Sequence, residues 1–371
     1  MKIAQIAPLF ESVPPRLYGG TERVVSWLTE ELVRQGHQVT LFASQDSITS
    51  AELVPCTTRA LRLDPDVQDA IPHQMVMLDK VRERADEFDI LHFHTDYLHF
   101  PLFRSERGRT LTTLHGRQDL LDHMPFYRRF SDMPLVSISN AQRAPLSGAN
   151  FVATVYHGLP LDLHTPSFSP KGGYLAFLGR ISPEKRPDRA IAVARAAGLP
   201  LKIAAKVDKA DEAYFRGVIA PMLNESGIEF IGEINESAKS EFLGNAAALL
   251  FPIDWPEPFG LVMIEAMACA TPVLAFRCGS VPEIVDDGLT GRIVSDVDEA
   301  VRAIPGLLAL DRKAIRARFE GRFSSARMAT EYTRIYQRML RSLTANSGYR
   351  HSLRVRPTST DTAPGAPPTA A

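Results

Sequence analysis

The chain has 371 residues with a formal net charge of −1, and 45% of its residues are hydrophobic. This length predicts two domains of ordinary size, and the balanced charge gives no support for binding to nucleic acid. The sequence lacks a signal-like apolar start and an apolar run that could cross a membrane, and its three cysteines lack metal-binding spacing, so we expect a cytoplasmic protein.

The chain opens with a β-loop-α-β pattern. Lys2 to Ala7 reads as a buried strand, a helix is predicted over Thr21 to Gln35 with Thr21 as its N-cap, and Val39 to Ala43 forms a second strand. This order is typical of a parallel, doubly wound sheet. Gly19 and Gly20 lie between the first strand and its helix, where the backbone could approach a phosphate closely or simply make a tight turn.

Two later strands of the first half end in histidines. Asp89 to His94 and Thr110 to Leu114 are predicted strands, and His115 follows the second of them. Ligand sites collect at the carboxyl ends of strands in such sheets, which makes His115 the histidine most suited to a functional role. His94 and Asp96, beside the end of the neighbouring strand, are more consistent with structural roles.

The same alternation restarts after a segment of linker composition, His164 to Gly173. Tyr174 to Leu178 is a predicted strand, and the helix Pro187 to Ala197 follows the next loop. In that loop Arg180 and Lys185 lie five residues apart at the carboxyl end of a strand. Two such cations suit a diphosphate, although a pair of loop cations is often only solvated.

A turn and an apolar helix, Asp254 to Ala268, carry two carboxylates eight positions apart. Pro258 and Gly260 suit a loop that leads into a helix N-terminus, where free N–H groups attract phosphate and hydroxyl oxygens. Glu257 lies in the turn beside that N-terminus. Glu265 lies inside the helix, where an ionised carboxylate needs either a distant Arg or a ligand as its partner.

The residues from Glu257 to Glu265 resemble the Glu-x7-Glu motif of the retaining glycosyltransferases of family 4. The surrounding Glu-Pro-Phe-Gly-Leu-Val and the earlier Gly-Arg-x-x-x-x-Lys, which contains Arg180 and Lys185, are similar to that family as well. The resemblance implies the GT-B fold, an α/β architecture with two Rossmann-like domains whose parallel sheets face a central cleft. The implied domain boundaries give an acceptor-side domain at 1–165, a donor domain at 166–344 and a disordered tail at 345–371. The last helix of the donor domain is expected to cross back onto the first domain.

The function implied by the resemblance is transfer of a hexose-type sugar from a UDP- or GDP-sugar to an acceptor hydroxyl on a glycan, a lipid-linked molecule or a small molecule. It implies retention at the anomeric carbon and no metal or other cofactor. The implied catalytic residues are His115, Arg180, Lys185 and Glu257. The implied donor-binding residues are Gly19, Gly20, Ile231, Ile234, Phe259, Gly260, Leu261 and Glu265, of which Ile231 and Ile234 would contact the base.

Three positions depart from the family, which usually has glycine where Arg186, Ala270 and Cys278 stand. Two other functions with related folds stay open: a nucleotide-sugar epimerase and a non-catalytic nucleotide-sugar-binding protein. A nicotinamide dehydrogenase is disfavoured, because its G-x-G-x-x-G motif is missing after the first strand.

Two further patterns are weaker. Asp64-Pro65-Asp66 and Asp296-Val297-Asp298 copy a metal-chelating pattern of another glycosyltransferase fold, but neither follows a strand beside a Gly-rich loop. The aromatic and basic segment Pro125 to Phe130 would suit peripheral contact with a membrane or an acceptor, or a solvated helix face.

Overall fold

The structure, a computed structural model, describes residues 1–354 apart from positions 18 and 225, and it describes the backbone alone for residues 346–354. Within this part the chain forms two parallel sheets of seven and six strands, each accompanied by helices. The predicted α/β class is therefore confirmed. No helix in the described part of the chain is long and apolar enough to cross a membrane.

The first sheet lies within residues 2–154 and has the order β3-β2-β1-β4-β5-β6-β7. Its strands are β1 (Lys2–Ile6), β2 (Gln38–Ser44), β3 (Glu52–Thr57), β4 (Ile90–Phe93), β5 (Thr110–Thr113), β6 (Leu135–Ser137) and β7 (Phe151–Thr154). The central strands β1, β4 and β5 are almost wholly buried because helices and loops cover both faces, which explains their continuous apolar sequence.

The second sheet lies within residues 175–294 and has the order β10-β9-β8-β11-β12-β13. Its strands are β8 (Leu175–Arg180), β9 (Leu201–Lys206), β10 (Ile228–Gly232), β11 (Ala248–Phe251), β12 (Val273–Phe276) and β13 (Gly291–Val294). In both sheets the strand order reverses beside the first strand, and a crevice forms at the carboxyl ends at such a reversal.

The first domain carries helices α1 (Gly20–Arg34), α2 (Ile71–Glu83), α3 (Phe100–Phe103), α4 (His123–Arg129) and α5 (Asn140–Arg143). The second carries α6 (Pro187–Ala197), α7 (Glu212–Tyr214), α8 (Ala220–Met222), α9 (Glu236–Gly244), α10 (Leu261–Ala268), α11 (Val281–Ile284), α12 (Val297–Leu308) and α13 (Arg312–Arg322). Short 3₁₀ turns lie at 61–63, 85–87, 104–106 and 209–211, and a π-helical turn lies at 215–219.

The last helix, α14 (Ser325–Arg354), packs against α1 and covers the first sheet. Tyr332 and Tyr336 are fully buried there, and their hydroxyl groups lie 2.8 Å from Thr113 Oγ1 and 2.7 Å from His92 Nδ1. Strands β4 and β5 therefore carry polar groups that α14 satisfies. The tail expected from residue 345 begins inside this helix, and residues 355–371 lie outside the described residues.

Side chains also join the two domains directly. The Glu283 carboxylate on α11 accepts hydrogen bonds from the backbone N–H groups of Asn140 (2.8 Å) and Ala141 (2.7 Å), at the start of α5. Tyr156 donates to the same carboxylate at 3.0 Å. A second-domain residue thus caps a first-domain helix, which fixes the position of one domain against the other.

Candidate active site

A cleft of about 680 Å³ lies between the two domains, at the carboxyl ends of both sheets. Eleven of the twelve residues predicted for the site line it: His115, Arg180, Lys185, Glu257, Gly19, Gly20, Ile234, Phe259, Gly260, Leu261 and Glu265. Ile231 lies outside this lining, since it sits within β10 with its side chain 37% exposed.

Lys185 and Glu257 form the centre of the second-domain wall. The Lys185 ammonium makes an ion pair with Glu257 Oε2, and the Trp255 indole N–H donates to the same oxygen at 3.0 Å. Lys185 also lies 4.7 Å from the centroid of the Trp255 ring, at cation–π distance. The loop and the turn that carry these residues are joined by a backbone hydrogen bond of 2.8 Å from Asp254 N–H to Glu184 C=O.

Arg180 lies beside this centre among acidic side chains. Its guanidinium is 2.7 Å from Glu184, 3.7 Å from Asp208 and 3.6 Å from Asp211. Lys206, at the end of β9, lines the cleft and pairs with Asp208 at 2.9 Å. Sequence reasoning missed Lys206, although its place at the carboxyl end of a strand was a usable signal.

The N-termini of two helices meet at the cleft. Helix α10 begins after Gly260 and α1 after Gly19, and neither has a side-chain N-cap. The predicted cap role of Thr21 is therefore wrong, because the helix starts one residue earlier, at Gly20. A Cβ atom at Gly20 would lie 3.5 Å from Leu261 Cδ1, so the Leu261 side chain of α10 lies close to the start of α1. Their free N–H groups make this junction attractive to an anion.

Glycine is required where the turn bearing Glu257 packs against the loop after β12. Gly279 has φ +53°, and a Cβ atom there would lie 2.3 Å from Glu257 N and 2.5 Å from Glu257 O. The next residue, Ser280, donates its N–H to Glu257 C=O at 2.9 Å and its hydroxyl to Phe259 C=O at 2.9 Å. The position of Glu257 therefore depends on this close backbone approach.

The buried carboxylate of Glu265 has a protein partner. The Lys239 ammonium, from the first turn of α9, lies 2.7 Å from Glu265 Oε1. Burial by itself would raise the pKa of Glu265, but the charge of Lys239 and those of His164 and Arg23 outweigh it and lower the pKa. The partner is thus a lysine 26 positions earlier and not the Arg expected from the sequence, and no local pattern pointed to it.

The same region gathers groups that metal sites also use. Donor atoms of His164, Glu236 and Glu265 lie within 4.8 Å of one another. Lys239 contacts both carboxylates, and Arg23 of the first domain pairs with Glu236. The observed arrangement is an ion-pair network that connects the two domains beside the cleft.

His115 lies at the end of a chain of neutral hydrogen-bonding groups. Burial lowers the pKa of His115 to about 3 and lowers that of His94 as well, so both rings are neutral at physiological pH. His94 Nε2 lies 2.8 Å from Gln5 Oε1, which can only accept, so this nitrogen carries the proton of His94. His94 Nδ1 must then accept from His115 Nε2–H at 2.8 Å.

This tautomer leaves His115 Nδ1 as a bare acceptor, and it has no hydrogen-bond partner among the residues the structure describes. The ring itself stacks on His157 with a centroid distance of 5.3 Å. This acceptor is buried in the wall of the cleft. The low pKa of the ring means that His115 cannot act as an acid near neutral pH.

Two of the three departures from the family occupy left-handed backbone, which favours glycine. Arg186 has φ +54° and Ala270 has φ +65°. The Arg186 guanidinium pairs at 2.8 Å with both Asp188 and Asp254, which supports the conformation and places the charge outside the lining of the cleft. Cys278 is half-buried, and burial raises the pKa of its thiol, so the thiol is unreactive at neutral pH.

Family models match most of the chain. The model described as "Glycosyltransferase Family 4" matches residues 18–198, and the model described as "Glycosyl transferases group 1" matches residues 165–322. Together the two models extend over every strand of both sheets except β1.

Curated relatives match about half of the chain. D-inositol 3-phosphate glycosyltransferase of Mycobacterium marinum is 33% identical over 190 residues, which is 47% of this chain and 39% of the relative. The protein of the same name from Mycobacterium avium is 35% identical over 174 residues, 43% of this chain and 37% of the relative. The aligned part therefore spans about two fifths of the length of these relatives.

Solved structures match nearly the whole chain. Sucrose-phosphate synthase from Thermosynechococcus elongatus has a TM-score of 0.77 at 19% identity and covers 92% of this chain and 100% of its own. AviGT4, a glycosyltransferase involved in avilamycin A biosynthesis, has a TM-score of 0.70 at 24% identity, with coverages of 92% and 98%. HepE from Anabaena, in complex with UDP and glucose, has a TM-score of 0.67 at 18% identity, with coverages of 91% and 99%. These likenesses confirm the GT-B fold.

Proposed function

We propose that this chain, which belongs to glycosyltransferase family 4, transfers a hexose-type sugar from a UDP- or GDP-sugar to a hydroxyl group. The transfer retains the configuration at the anomeric carbon. The family membership confirms the resemblance found in the residues from Glu257 to Glu265. The observation that carries the proposal is the Lys185–Glu257 ion pair beside two neighbouring helix N-termini, inside a cleft between two Rossmann-like domains.

The charge of this wall supports a diphosphate as the leaving group. Arg180, Lys185 and Lys206 line the second-domain side, and the N–H groups at the starts of α1 and α10 face the same space. Donors fixed in advance stabilise charge that develops on a departing group more effectively than mobile water does. HepE, which shares the fold, has been solved with UDP and glucose, and this is consistent with a nucleotide-sugar donor.

The carboxylates would then hold the sugar and the nucleoside. Glu257 stands beside the helix start, so it would accept from sugar hydroxyls while Lys185 moves onto the phosphate. Glu265 would accept from the ribose hydroxyls in place of its bond to Lys239. His115, which lines the cleft, would lie beside the transferred sugar. No protein carboxylate is assigned as a nucleophile, and attack on the same face that the diphosphate leaves would give retention.

The test is release of nucleotide from UDP-glucose and GDP-mannose by the purified chain in the presence of a mixed acceptor pool. Glu257→Gln keeps an acceptor for the Trp255 indole N–H and removes the charge, so the fold should persist while turnover falls by about 100-fold or more. Glu241→Ala, which removes an exposed carboxylate of α9 outside the cleft, is the control and should keep normal turnover.

Near-normal turnover of Glu257→Gln would remove Glu257 from the catalytic set. Thermal-shift measurements with UDP, GDP and their sugars identify the donor independently, because a ligand at ~100 times its dissociation constant adds about 2.7 kcal/mol of stability. Binding of neither nucleotide, together with no release, would refute the transferase proposal. Release of an epimerised sugar without an acceptor would favour the epimerase.

A further inference from the structure

The first-domain wall of the cleft differs in character from the wall that carries Lys185. Phe10, Leu17 and Ile71 line it, and they are 42%, 50% and 58% exposed. Large apolar side chains this open to water inside a concave site cost free energy unless a ligand covers them. They lie in the same cavity as Lys185 and Glu257, so a molecule resting on them can reach the reacting centre.

This wall also carries the carboxylate of Asp96. Asp96, just after β4, has φ +51°, a left-handed conformation that is uncommon outside glycine and is tolerated best by Asn and Asp. Its side chain opens onto the cleft and forms no hydrogen bond or ion pair with a residue in the described part of the chain. The surrounding walls nevertheless desolvate the carboxyl enough to raise its pKa to about 6. Backbone strain with an unused polar group is typical of a ligand-binding position.

The cations of this wall are already paired. Arg23 pairs with Glu236 and donates to Leu17 C=O at 2.5 Å, and Arg62 pairs with Glu11 at 2.8 Å. Burial also lowers the pKa values of His94, His115 and His157, which keeps the three histidines of the cleft neutral. Away from the start of α1, the first-domain wall therefore offers apolar surface and a hydrogen-bond acceptor, and it offers little to a phosphate group.

We propose that this wall is the acceptor subsite and that the acceptor is an uncharged, hydroxyl-bearing compound with an apolar part. Phe10, Leu17 and Ile71 hold the apolar part, and Asp96 accepts a hydrogen bond from a hydroxyl of the polar part. The inference rests on the proposed function and adds the chemical class of the acceptor and the residues that select it.

The experiment compares four acceptors that all contain glucose and differ in the group attached to it. They are methyl β-D-glucoside, phenyl β-D-glucoside, n-octyl β-D-glucoside used below its critical micellar concentration, and glucose 6-phosphate. Transfer from the donor identified above should show kcat/KM at least tenfold higher for phenyl than for methyl glucoside. Glucose 6-phosphate should be poorer than methyl glucoside. A phosphorylated acceptor that outperforms phenyl glucoside would overturn the proposal.

A matched pair of variants tests the apolar surface. Ile71→Ser should lower the ratio of kcat/KM for phenyl glucoside to kcat/KM for methyl glucoside at least threefold below the wild-type ratio. Val76→Ser is the control, since Val76 is 54% exposed on the same helix but outside the lining, and it should keep the wild-type ratio. Equal ratios for the two variants would contradict the assigned surface.

Asp96→Asn tests the polar contact without changing the backbone, because Asn also tolerates left-handed φ. It should raise KM for the glucosides by about tenfold and raise KM for the donor much less. An unchanged acceptor KM would remove Asp96 from the subsite. Calorimetric measurement of phenyl glucoside binding separates the two proposals. If phenyl glucoside binds, Ile71→Ser weakens that binding and no sugar is transferred, only the transferase proposal is contradicted. If phenyl glucoside does not bind, the subsite proposal is contradicted.

Discussion

Replacing Gly279 with alanine should damage both stability and the candidate site, because this residue touches the backbone that carries Glu257. The new Cβ atom would lie 2.3 Å from Glu257 N, whereas ordinary contact begins at 3.4 Å. Relief requires a displacement of about 1 Å, and neither partner is a flexible side chain. Since Ser280 holds Glu257 C=O and Phe259 C=O, the movement would reach the start of α10.

The magnitude follows from two terms. Left-handed backbone costs alanine about 1–2 kcal/mol relative to glycine, and overpacking costs about 1–3 kcal/mol. We therefore expect Gly279→Ala to lower the free energy of unfolding by about 2–5 kcal/mol. A misplacement of about 1 Å at a catalytic group costs about 100-fold in rate, which sets the expected loss of turnover in the folded variant.

Gly198→Ala is the matched control. Gly198 has φ +66° at the end of α6, and a Cβ atom there would have nothing within 4 Å. This variant should lose only the left-handed term, about 1–2 kcal/mol, and should keep normal turnover. Urea unfolding and nucleotide release measure the two effects. If Gly279→Ala is no less stable than Gly198→Ala and is equally active, the close approach at Glu257 does not position the site.

Three further predictions concern the domain contact, pH and metal. Glu283→Ala leaves the first N–H groups of α5 without their acceptor, so it should lower the free energy of unfolding, measured with urea, by about 1.5–3 kcal/mol. A decrease no larger than that of Glu241→Ala would contradict the capping role of Glu283. The free energy of unfolding should fall between pH 7.5 and 5.5, because the unfolded chain protonates histidines that burial keeps neutral in the folded state. Each of these histidines lowers the free energy of unfolding by about 1.4 kcal/mol over this range. Glu22 and Asp96 oppose the fall, since burial raises their pKa values to about 7 and about 6 and they take up protons in the folded state. Constant stability over this range would mean that those rings are accessible to protons. EDTA should leave transfer unchanged, and loss of activity restored by a divalent cation would point to a metal site.

The order of elements was predictable because parallel α/β sheets have a strong sequence pattern. Short apolar runs predicted β1, β2, β4, β5 and β8 within two residues, and helix α6 was predicted with its observed bounds. Strand β3 and helix α2 were missed, since β3 lies at the sheet edge with mostly half-buried residues and α2 has a weak apolar stripe.

The candidate site was predictable where residues share a local motif and not where distant residues meet. Glu257 and Lys185 each belong to a recognisable sequence motif, yet their ion pair joins positions that are 72 residues apart in the chain. Lys239 carries no such signal, because it partners Glu265 from another helix. The sequence showed that Asp96 lies beside the end of a strand, but not that its backbone is left-handed. The apolar residues of the first-domain wall were also invisible, because single exposed hydrophobic residues are ordinary until the fold groups them.

The return of α14 to the first sheet has a consequence for biosynthesis. The first sheet contains Gln5, His92 and Thr113, and these bury their polar groups against Tyr332 and Tyr336, which are synthesised after both sheets. A nascent chain that ends before α14 lacks these two partners, and its first domain exposes the apolar surface that α14 will cover. The N-terminal domain therefore cannot complete its packing until α14 has left the ribosome.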